Sequence, residues 1–430
     1  MGLADETIFA LATAHGKAGI AIIRLSGPAS VAVLSALGGS VPPPKSARLS
    51  RLRDRDGSIL DEALVLRFEA GASFTGEEVV ELHLHGSVAV VRAVQRAIDA
   101  TGLARPAEPG EFTRRALMND RLDLTQVQGL RDVIDAETEA QRRHAMRVFS
   151  GEMAERVTRW RRAILRAAAL LEATIDFADE DVPIDVTREV RALVAGVAGD
   201  LEREAAGSFA ASRLKSGFEV ALVGAPNVGK SSLINALSRT DASIVSDVAG
   251  TTRDVIEVRL DLAGVPVTIL DMAGLRDATD EVETLGILRA RDRASKADVR
   301  VFLREGDEPR DTSVEMLPDD IVVRTKVDVY GGLGTSTRTG AGIAELLAQL
   351  TDRTQRQVTE AGLISTDRDV ALFREVASTL RETDDMLVVV TPELIAELLR
   401  RAAERLRHVI GGVGVEDILD EIFSSFCIGK

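Results

Sequence analysis

The chain has 430 residues, of which 45% are apolar, 28% charged and only 3% aromatic, and its formal net charge is −15. At roughly 150 residues per domain, this length predicts about three domains with cores of their own. The composition excludes a disordered chain. The acidic charge argues against a protein that coats nucleic acid or an anionic membrane along its whole surface. The scarcity of aromatic residues also argues against a platform on which bases stack.

The single cysteine, Cys427, cannot form an intramolecular disulfide, which is typical of a reducing compartment. The first residues carry Asp5 and Glu6 in place of the basic stretch of a secretory signal. No apolar run reaches the roughly 18 residues of a membrane-spanning helix. We therefore expect a cytoplasmic protein without membrane insertion.

Hydrophobic patterns divide the chain into regions. Apolar runs at 19–25, 63–68 and 79–85 predict strands of an N-terminal α/β region, and helical spacing predicts helices from about 122 to 208. A strand at 218–223 opens an alternation of strands and helices to about residue 355, which predicts a parallel sheet of βαβ units. Helical spacing then returns, with a predicted buried face of Leu394, Leu398, Ala402, Leu406 and Ile410.

The strongest motif follows directly on the strand at 218–223. Residues 224–231 read GAPNVGKS, which matches the phosphate loop G-x-x-x-x-G-K-[ST], and a helical pattern begins after them. The glycines let backbone N–H groups surround phosphates. Lys230 should reach the β- and γ-phosphates, and the Ser231 hydroxyl should hold Mg²⁺. The spacing therefore predicts a P-loop (Ras-like) nucleotide site.

A second motif, DMAG at 271–274, ends a strand pattern at 267–270. Asp271 suits an outer-shell partner of Mg²⁺, and the Gly274 amide suits the γ-phosphate. Leu275 follows, where Ras-like enzymes orient the attacking water with glutamine. Leucine cannot orient water, so another residue or ion must contribute to catalysis.

The base-recognition and switch motifs complete the order of a GTPase. Asp328, in TKVD at 325–328, can accept from both N1–H and N2–H₂ of guanine, a donor pair that adenine lacks. Residues 336–342 could back the base. Thr252, in the loop GTTRD at 250–254, is the candidate second ligand of Mg²⁺.

With these motifs, the whole chain resembles the MnmE (TrmE) family of tRNA-modifying GTPases, within the Era-like superfamily. The resemblance rests on TIFA at 7–10 with AIIRLSG at 21–27, on PGEFT at 109–113 with NDRLDL at 119–124, and on FCIGK at 426–430. It implies an α/β plus α architecture with an N-terminal folate-binding-like domain, a helical domain and an inserted G domain. The implied limits are 1–118 for the tetrahydrofolate-binding and dimerisation domain, 119–214 and 358–430 for the helical domain, and 215–357 for the G domain.

The resemblance also implies a function. The family hydrolyses GTP with activation by K⁺ and by dimerisation of the G domains. With a flavoprotein, MnmG, it adds an aminomethyl or carboxymethylaminomethyl group to C5 of wobble uridine (position 34) in certain tRNAs. The implied partners are a second copy of the chain, MnmG in a heterotetramer or larger complex, and tRNA. The implied cofactors are GTP, Mg²⁺, K⁺ and 5-formyl- or methylene-tetrahydrofolate.

Carried over residue by residue, the resemblance assigns Glu283 to orienting the attacking water and Lys230 to catalysis at the phosphates. Ser231 and Thr252 are the implied ligands of Mg²⁺, and the implied ligands of K⁺ are Asn227, Ser246, Val248 and Thr251. The potassium ion would place positive charge between the phosphates, as an arginine finger does. GTP contacts are implied for Asn227, Val228, Gly229, Lys230, Ser231, Ser232, Ser246, Asp247, Val248, Ala249, Gly250, Thr251, Thr252, Asp271, Met272, Ala273, Gly274, Thr325, Lys326, Asp328, Ser336, Thr337 and Arg338.

Folate contacts are implied for Arg24, Glu81, Arg121 and Lys430. The three cations suit an anionic folate tail, and Glu81 suits an N–H edge of the pterin. Four departures from the family pattern accompany these assignments: Thr325 for Asn, Met272 for Thr, Thr337-Arg338 for Ala-Lys, and Arg121 for Lys. Because the Thr325 hydroxyl is shorter than an asparagine side chain, we expect weaker guanine binding.

Three other features have two interpretations each. His83 and His85 share a strand face and are either ordinary side chains or a metal pair. Cys427 is either a packed thiol or a nucleophile, and no base is placed beside it in the sequence. A helical stretch of arginines is either a solvated face or a tRNA contact: Arg142, Arg143, Arg147, Arg156, Arg159, Arg161, Arg162 and Arg166.

Two other functions remain open from the sequence alone. The first is an Era-like regulatory GTPase switch or ribosome-assembly factor, which would not need the folate positions. The second is a scaffold with a vestigial nucleotide site, against which the intact Lys230, Ser231, Asp271 and Asp328 argue.

Overall fold

The computed structural model describes residues 6–176, 186–240, 242–244, 257–271, 292–306, 314–358, 361–387, 389–411 and 429. The chain forms two compact units. One consists of Met1–Arg131 and Arg407–Lys430, and the other of Asp132–Leu406.

The first unit is built on a six-stranded sheet in the order β3-β4-β5-β2-β1-β6. Neighbouring strands are antiparallel except β1 and β6, which pair in parallel. The strands are β1 (Ile8–Leu11), β2 (Ile20–Ser26), β3 (Ala47–Arg53), β4 (Ile59–Phe68), β5 (Val79–His85) and β6 (Arg105–Pro106). The three predicted strands correspond to β2, β4 and β5, whereas no strand pattern predicted β3, whose burial is low.

Helices pack on both faces of this sheet: two of them cover the face of Ile23 and Leu82, and the helix that carries Phe112 packs on Ile8 and Ala10 of the opposite face. The helices that begin in this unit are α1 (Ser30–Ala36), α2 (Val88–Ala100), α3 (Glu111–Met118) and α4 (Leu124–Asp135). The Ser87 hydroxyl caps α2 by accepting from the backbone N–H of Val90. Alternate residues of the strands, such as Ile23 and Leu82, meet α2 residues such as Val94 in a closed apolar core.

The second unit contains a group of helices. They are α5 (Glu139–Phe149), α6 (Glu152–Asp176), α7 (Thr187–Ala206) and α8 (Ser208–Ser216), later joined by α12 (Asp367–Met386) and α13 (Pro392–Arg407). A capping box of Thr138 and Gln141 starts α5. The rings of Trp160 and Phe373 meet edge to face at 5.6 Å between centroids. None of the helices among the described residues has the length and apolar character needed to cross a bilayer.

The predicted face of α13 is the buried one only in part. Ala402 and Leu406 are buried, Leu398 and Ile410 (just after the helix) are half-buried, and Leu394 is exposed. The residues that the helix buries are Ile395, Ala396, Leu399, Ala402, Ala403 and Leu406. Both sets have helical spacing, so spacing alone does not distinguish them. The packing partners decide which of the two neighbouring ridges is buried.

A five-stranded sheet in the order β11-β10-β7-β9-β8 lies in the same unit. Its strands are β7 (Phe218–Val223), β8 (Glu257–Leu262), β9 (Val265–Asp271), β10 (Val299–Glu305) and β11 (Ile321–Thr325), and its helices are α9 (Lys230–Leu237), α10 (Val327–Tyr330) and α11 (Ile343–Val358). Only β8 is antiparallel, so the predicted parallel sheet of βαβ units is confirmed. The carboxyl ends of β7, β9 and β11 therefore meet at one edge, where the nucleotide motifs lie.

Two ion pairs link this sheet to the helices around it. Arg259 on β8 contacts Glu137, just before α5, at 2.9 Å, and Arg213 on α8 contacts Asp298 at 2.8 Å. Asp298 is almost fully buried, and this burial raises the pKa of its carboxyl above the ordinary value. The α/β module is thus held to the helical segment that leads into it.

Candidate functional site

The phosphate loop joins β7 to α9. Asn227 and Gly229 adopt positive φ angles of 64° and 104°, and Lys230 begins the helix. Turns of this kind form a concave nest of backbone N–H groups that suits an anion. A Cβ atom at Gly224 would lie 2.8 Å from the Leu303 carbonyl oxygen, so only glycine fits where the loop passes β10. The local backbone therefore fits a nucleotide phosphate.

Lys230 lies inside this loop. Its Nζ atom donates to the carbonyl oxygens of Gly224, at 2.5 Å, and Ala225, at 2.9 Å, and its side chain is buried. The ammonium group is therefore held on the inner side of the loop, within the region where phosphate oxygens would enter. Ser231 follows it in the first turn of α9, as the motif requires for a ligand of Mg²⁺.

Thr325 joins the base-recognition motif to the phosphate loop. It ends β11, it is buried, and its hydroxyl donates to the Val228 carbonyl oxygen at 2.7 Å. Thr325, at the position where the family pattern has asparagine, therefore forms a direct hydrogen bond between the two loops. The sequence predicted only the loss of bonds to the base and did not reveal this contact.

We expect Thr325→Val to lower the affinity for GDP by about tenfold, because it leaves the buried Val228 carbonyl without its donor. Thr325→Ser keeps the hydroxyl and serves as the matched control, with an affinity close to that of the wild type. Isothermal titration calorimetry with GDP measures both. Equal affinities of the valine and serine variants would show that the bond does not support the site.

Asp328 lies in the first turn of α10, and both of its carboxylate oxygens have partners. The Ser336 hydroxyl donates to Oδ1 at 2.6 Å, and Arg338 Nε lies 3.0 Å from Oδ2. The Ser336 hydrogen bond, with a smaller contribution from Arg338, holds the pKa of Asp328 below its usual range. The carboxylate is therefore ionised at neutral pH, as an acceptor for guanine must be.

The sequence did not single out Glu305 and Tyr330, which position Lys326. Lys326 has a left-handed backbone with φ 57°, and its Nζ atom lies 2.5 Å from Glu305 Oε2. The Tyr330 hydroxyl donates to the other Glu305 oxygen at 2.8 Å, and these hydrogen bonds lower the pKa of Glu305. Because β10 and β11 are parallel neighbours, Glu305 pairs with Thr325. The sequence could have revealed Glu305, because alignment of two adjacent parallel strands places it beside Thr325 of the TKVD motif.

Several predicted site residues lie outside the described part of the chain. The structure gives no side-chain position for Asp271 at the end of β9, and the following lie in stretches it does not describe: Ser246, Asp247, Val248, Ala249, Gly250, Thr251, Thr252, Met272, Ala273, Gly274, Glu283 and Lys430. Leu275 and Cys427 are also outside those residues. Their roles remain predictions.

The structure brings two of the predicted folate residues into contact. Arg24 on β2 pairs in register with Glu81 on β5, and Arg24 Nε lies 2.9 Å from Glu81 Oε1. The guanidinium also lies 5.7 Å from the ring centre of Phe74 and 5.8 Å from that of Phe112. Phe112 belongs to the PGEFT stretch, but the sequence assigned it no role. We call Arg24, Glu81, Phe74 and Phe112 the Arg24 cluster.

Arg121 and the C-terminal end lie against elements of the same cluster. A Cβ atom at Gly76, two residues after Phe74, would lie 3.2 Å from the Arg121 side chain. Gly429 is buried, and a Cβ atom there would lie 2.1 Å from the Leu11 carbonyl oxygen. Leu11 pairs with Ile23, the residue before Arg24. The C-terminal residue next to Lys430 thus reaches the strand beside Arg24.

The two histidines bond different carboxylates. His83 Nε2 lies 3.3 Å from Glu81 Oε2, and His85 Nδ1 lies 2.8 Å from Asp61 Oδ1. Among the described residues there is no group of three or more His, Cys, Asp or Glu side chains that could hold a metal ion. His83 therefore lies beside the Arg24 cluster, whereas His85 pairs with a residue of β4.

Most arginines of the arginine-rich stretch form ion pairs with glutamates. The ion pairs are Arg142 and Arg143 with Glu139, Arg147 with Glu152, Arg156 with Glu152 and Glu204, Arg161 with Glu404, and Arg166 with Glu189. Arg159 and Arg162 are exposed on α6. The stretch therefore offers a polyanion less positive charge than its sequence suggests, and a tRNA contact there remains a prediction.

Comparison with known proteins covers the whole chain. Residues 7–121 match the family model described as GTP-binding protein TrmE N-terminus, and residues 124–427 match the MnmE helical domain. A protein of Roseobacter denitrificans named tRNA modification GTPase MnmE is 53% identical over 430 residues, covering 99% of this chain and 100% of that protein. A relative of the same name from Cereibacter sphaeroides is 55% identical over 429 residues, with the same coverage of both chains.

Among solved structures, Era in complex with MgGDPNP and a segment of 16S ribosomal RNA matches 32% of this chain and 56% of that chain. The sequence identity is 27% and the TM-score is 0.26, too low to support any conclusion. The two family models and the full-length relatives carry the assignment. The chain therefore belongs to the MnmE (TrmE) family of tRNA modification GTPases.

Proposed function

We propose that this GTPase works with a flavoprotein partner, MnmG, in a heterotetramer or larger complex. Together they add an aminomethyl or carboxymethylaminomethyl group to C5 of wobble uridine in certain tRNAs. The observation that carries the proposal is that the chain has a phosphate loop at 224–231 in one unit and the Arg24 cluster, a second candidate site, in the other. A GTPase that served only as a switch would need the first site alone.

Hydrolysis of GTP would use residues at the carboxyl edge of the second sheet. Lys230 donates to oxygens of the β- and γ-phosphates, Asp328 accepts from guanine, and Glu283 orients the attacking water. Ser231 and Thr252 would hold Mg²⁺, and the K⁺ ligands would be Asn227, Ser246, Val248 and Thr251. The two ions would supply positive charge at the phosphates. The nest at Asn227 and Gly229 supports this proposal.

The N-terminal unit would bind the one-carbon donor, a 5-formyl- or methylene-tetrahydrofolate, which supplies the carbon for the modification. Glu81 can accept from the N–H edge of a pterin, and Phe74 can stack on its ring. Cationic residues would face the anionic tail. Because Arg24 contacts Glu81 directly, Arg24 would lie at the same end of the ligand as Glu81, and Arg121 and Lys430 would face the tail.

A homodimer formed through the N-terminal unit is also proposed. On the face of the first sheet that carries Arg24, Leu49 pairs with Leu64 and Leu64 pairs with His83. Leu49 is 61% exposed and Leu64 is 40% exposed, and Ile20 on β2 is exposed as well. An exposed apolar sheet face of this kind is typical of a surface that another protein covers. A second copy would cover it beside the Arg24 cluster.

The domain limits 1–118, 119–214, 215–357 and 358–430 remain as proposed from the sequence. The cytoplasm is the proposed location, because the substrate is tRNA and the lone cysteine needs no oxidising compartment.

Folate binding tests the proposal against a pure GTPase switch. We expect the chain to bind 5-formyltetrahydrofolate and Glu81→Gln to weaken that binding by about 10- to 100-fold, because a charge-assisted hydrogen bond to the pterin is lost. Glu62→Gln, an exposed glutamate on the neighbouring strand β4, is the matched control and should bind normally. Calorimetry on the full chain measures all three. Absence of binding to the wild type would favour the switch.

A further inference from the structure

Arg338 forms an ion pair with Asp328, the carboxylate that would recognise guanine. Its Nε atom lies 3.0 Å from Asp328 Oδ2, while Ser336 holds Oδ1. The Arg338 side chain is 79% exposed, whereas that of Asp328 is only 11% exposed. The recognition carboxylate is therefore covered by a side chain that extends into solvent.

The donors of arginine and guanine are alike. Arginine presents Nε–H and Nη–H groups in a planar fork, and guanine presents N1–H and N2–H₂ on one edge. Both patterns suit a carboxylate, so both compete for Asp328. We propose that Arg338 is a built-in competitor of guanine that must leave Asp328 before the base binds, which lowers the affinity for guanine nucleotides and their association rate. This inference rests on the proposed placement of guanine at Asp328.

The loop that carries Arg338 lets the side chain leave without moving the backbone. Backbone hydrogen bonds join Ser336 N–H to the Ala341 carbonyl and Thr335 N–H to the Arg324 carbonyl, at 2.9 and 2.7 Å. A Cβ atom at Gly342 would lie 1.9 Å from the Gly334 carbonyl oxygen, so the two ends of the loop pack tightly. Only rotation of the exposed Arg338 side chain is needed to uncover Oδ2.

The expected effect is modest because exposed ion pairs are weak. Removing such a competitor should tighten GDP binding by about two- to fivefold at low ionic strength. The gain should disappear near 1 M salt, where the Debye length falls to about 3 Å. If Arg338 instead stacked on the base, its removal would weaken GDP binding.

The test uses stopped-flow binding of a fluorescent GDP analogue to the full-length chain. We expect Arg338→Ala to raise the association rate and lower the dissociation constant at low salt. Arg356→Ala is the matched control: Arg356 is 77% exposed, lies on α11 and pairs with Asp352 at 2.8 Å. It should behave as the wild type. Unchanged or weaker GDP binding by Arg338→Ala would overturn the inference.

A second variant separates this inference from the proposed guanine site. Asp328→Asn should shift the preference from GDP to xanthosine diphosphate, because an amide N–H can donate to the extra carbonyl of xanthine. If the preference does not shift, the placement of guanine at Asp328 fails and the inference with it. If the nucleotide preference shifts and Arg338→Ala does not change GDP binding, guanine does bind at Asp328 and only the proposed competition by Arg338 is overturned. In the Asp328→Asn background, Arg338→Ala should have no effect because the ion pair is absent.

Discussion

Replacing Glu283 with alanine should lower the rate of GTP hydrolysis by about 10²- to 10⁴-fold, the range for loss of a group that handles the attacking water. GTP affinity should stay unchanged, because Glu283 is not expected to contact the nucleotide. The assignment of Glu283 rests on the family resemblance, and Leu275, which follows the DMAG motif and cannot orient water, leaves that role to another group. Single-turnover hydrolysis and fluorescent-nucleotide binding measure the two quantities separately.

Glu281→Ala is the matched control, because it removes a carboxylate two residues away in the same acidic segment. It should hydrolyse GTP at the wild-type rate. Hydrolysis by Glu283→Ala near the wild-type rate would remove the glutamate from the mechanism.

Replacing K⁺ with Na⁺ at equal ionic strength in the same assay should slow GTP hydrolysis by the wild type, which tests the proposed potassium ion.

Replacing Arg115 with methionine should destabilise the N-terminal unit by about 3–5 kcal/mol, because it leaves buried carboxylates without their partner. Arg115 lies 3.0 Å from both Glu111 and Glu77, and it donates to the Glu6 carbonyl oxygen. The side chains of Arg115 and Glu111 are almost fully buried. Hydrogen exchange of peptides from β1, β2 and β5 in the full chain reports this free energy of local unfolding.

Arg51→Met is the control, since Arg51 forms an exposed pair with Glu62 on the same sheet. It should change the free energy of unfolding by less than about 1 kcal/mol. Equal protection of β1, β2 and β5 in Arg115→Met and Arg51→Met would show that the buried network does not stabilise the unit.

The cost of Arg115→Met should depend on pH. Burial alone would raise the pKa of Glu111, but hydrogen bonds from Arg105, the Glu108 N–H and Arg115 bring it below the ordinary 4.5. A depressed carboxyl pKa adds stability above the unfolded value and loses it as the pH falls through the folded value. The difference between Arg115→Met and the wild type should therefore shrink below about pH 4.5.

Local patterns predicted those parts of the fold that local chemistry determines. The strand at 79–85 and the phosphate loop at 224–231 are set by alternating burial and by glycines within a few residues. The buried face of α13 was predicted only in part, because two neighbouring ridges have the same helical spacing. Choosing between them requires knowing which helices pack against it.

Contacts between distant residues were not predictable in this way. The Thr325 hydroxyl reaches the Val228 carbonyl, 97 residues away in the sequence, only because the sheet aligns β11 with the loop. The partners of the arginine-rich stretch include Glu189 and Glu404, from other parts of the helical group. Arg24 and Glu81 were proposed as a pair of folate residues from the resemblance, and the register of β2 with β5 brings them into contact.

Modification of wobble uridine in tRNA is the proposed role of this GTPase. Its most direct test is mass spectrometry of nucleosides from total tRNA of the organism that carries the gene, with the gene disrupted and then restored. We expect a C5-aminomethyl-type wobble uridine to disappear on disruption and to return on restoration. An unchanged nucleoside profile would contradict this role and would favour a GTPase switch whose N-terminal unit has another role.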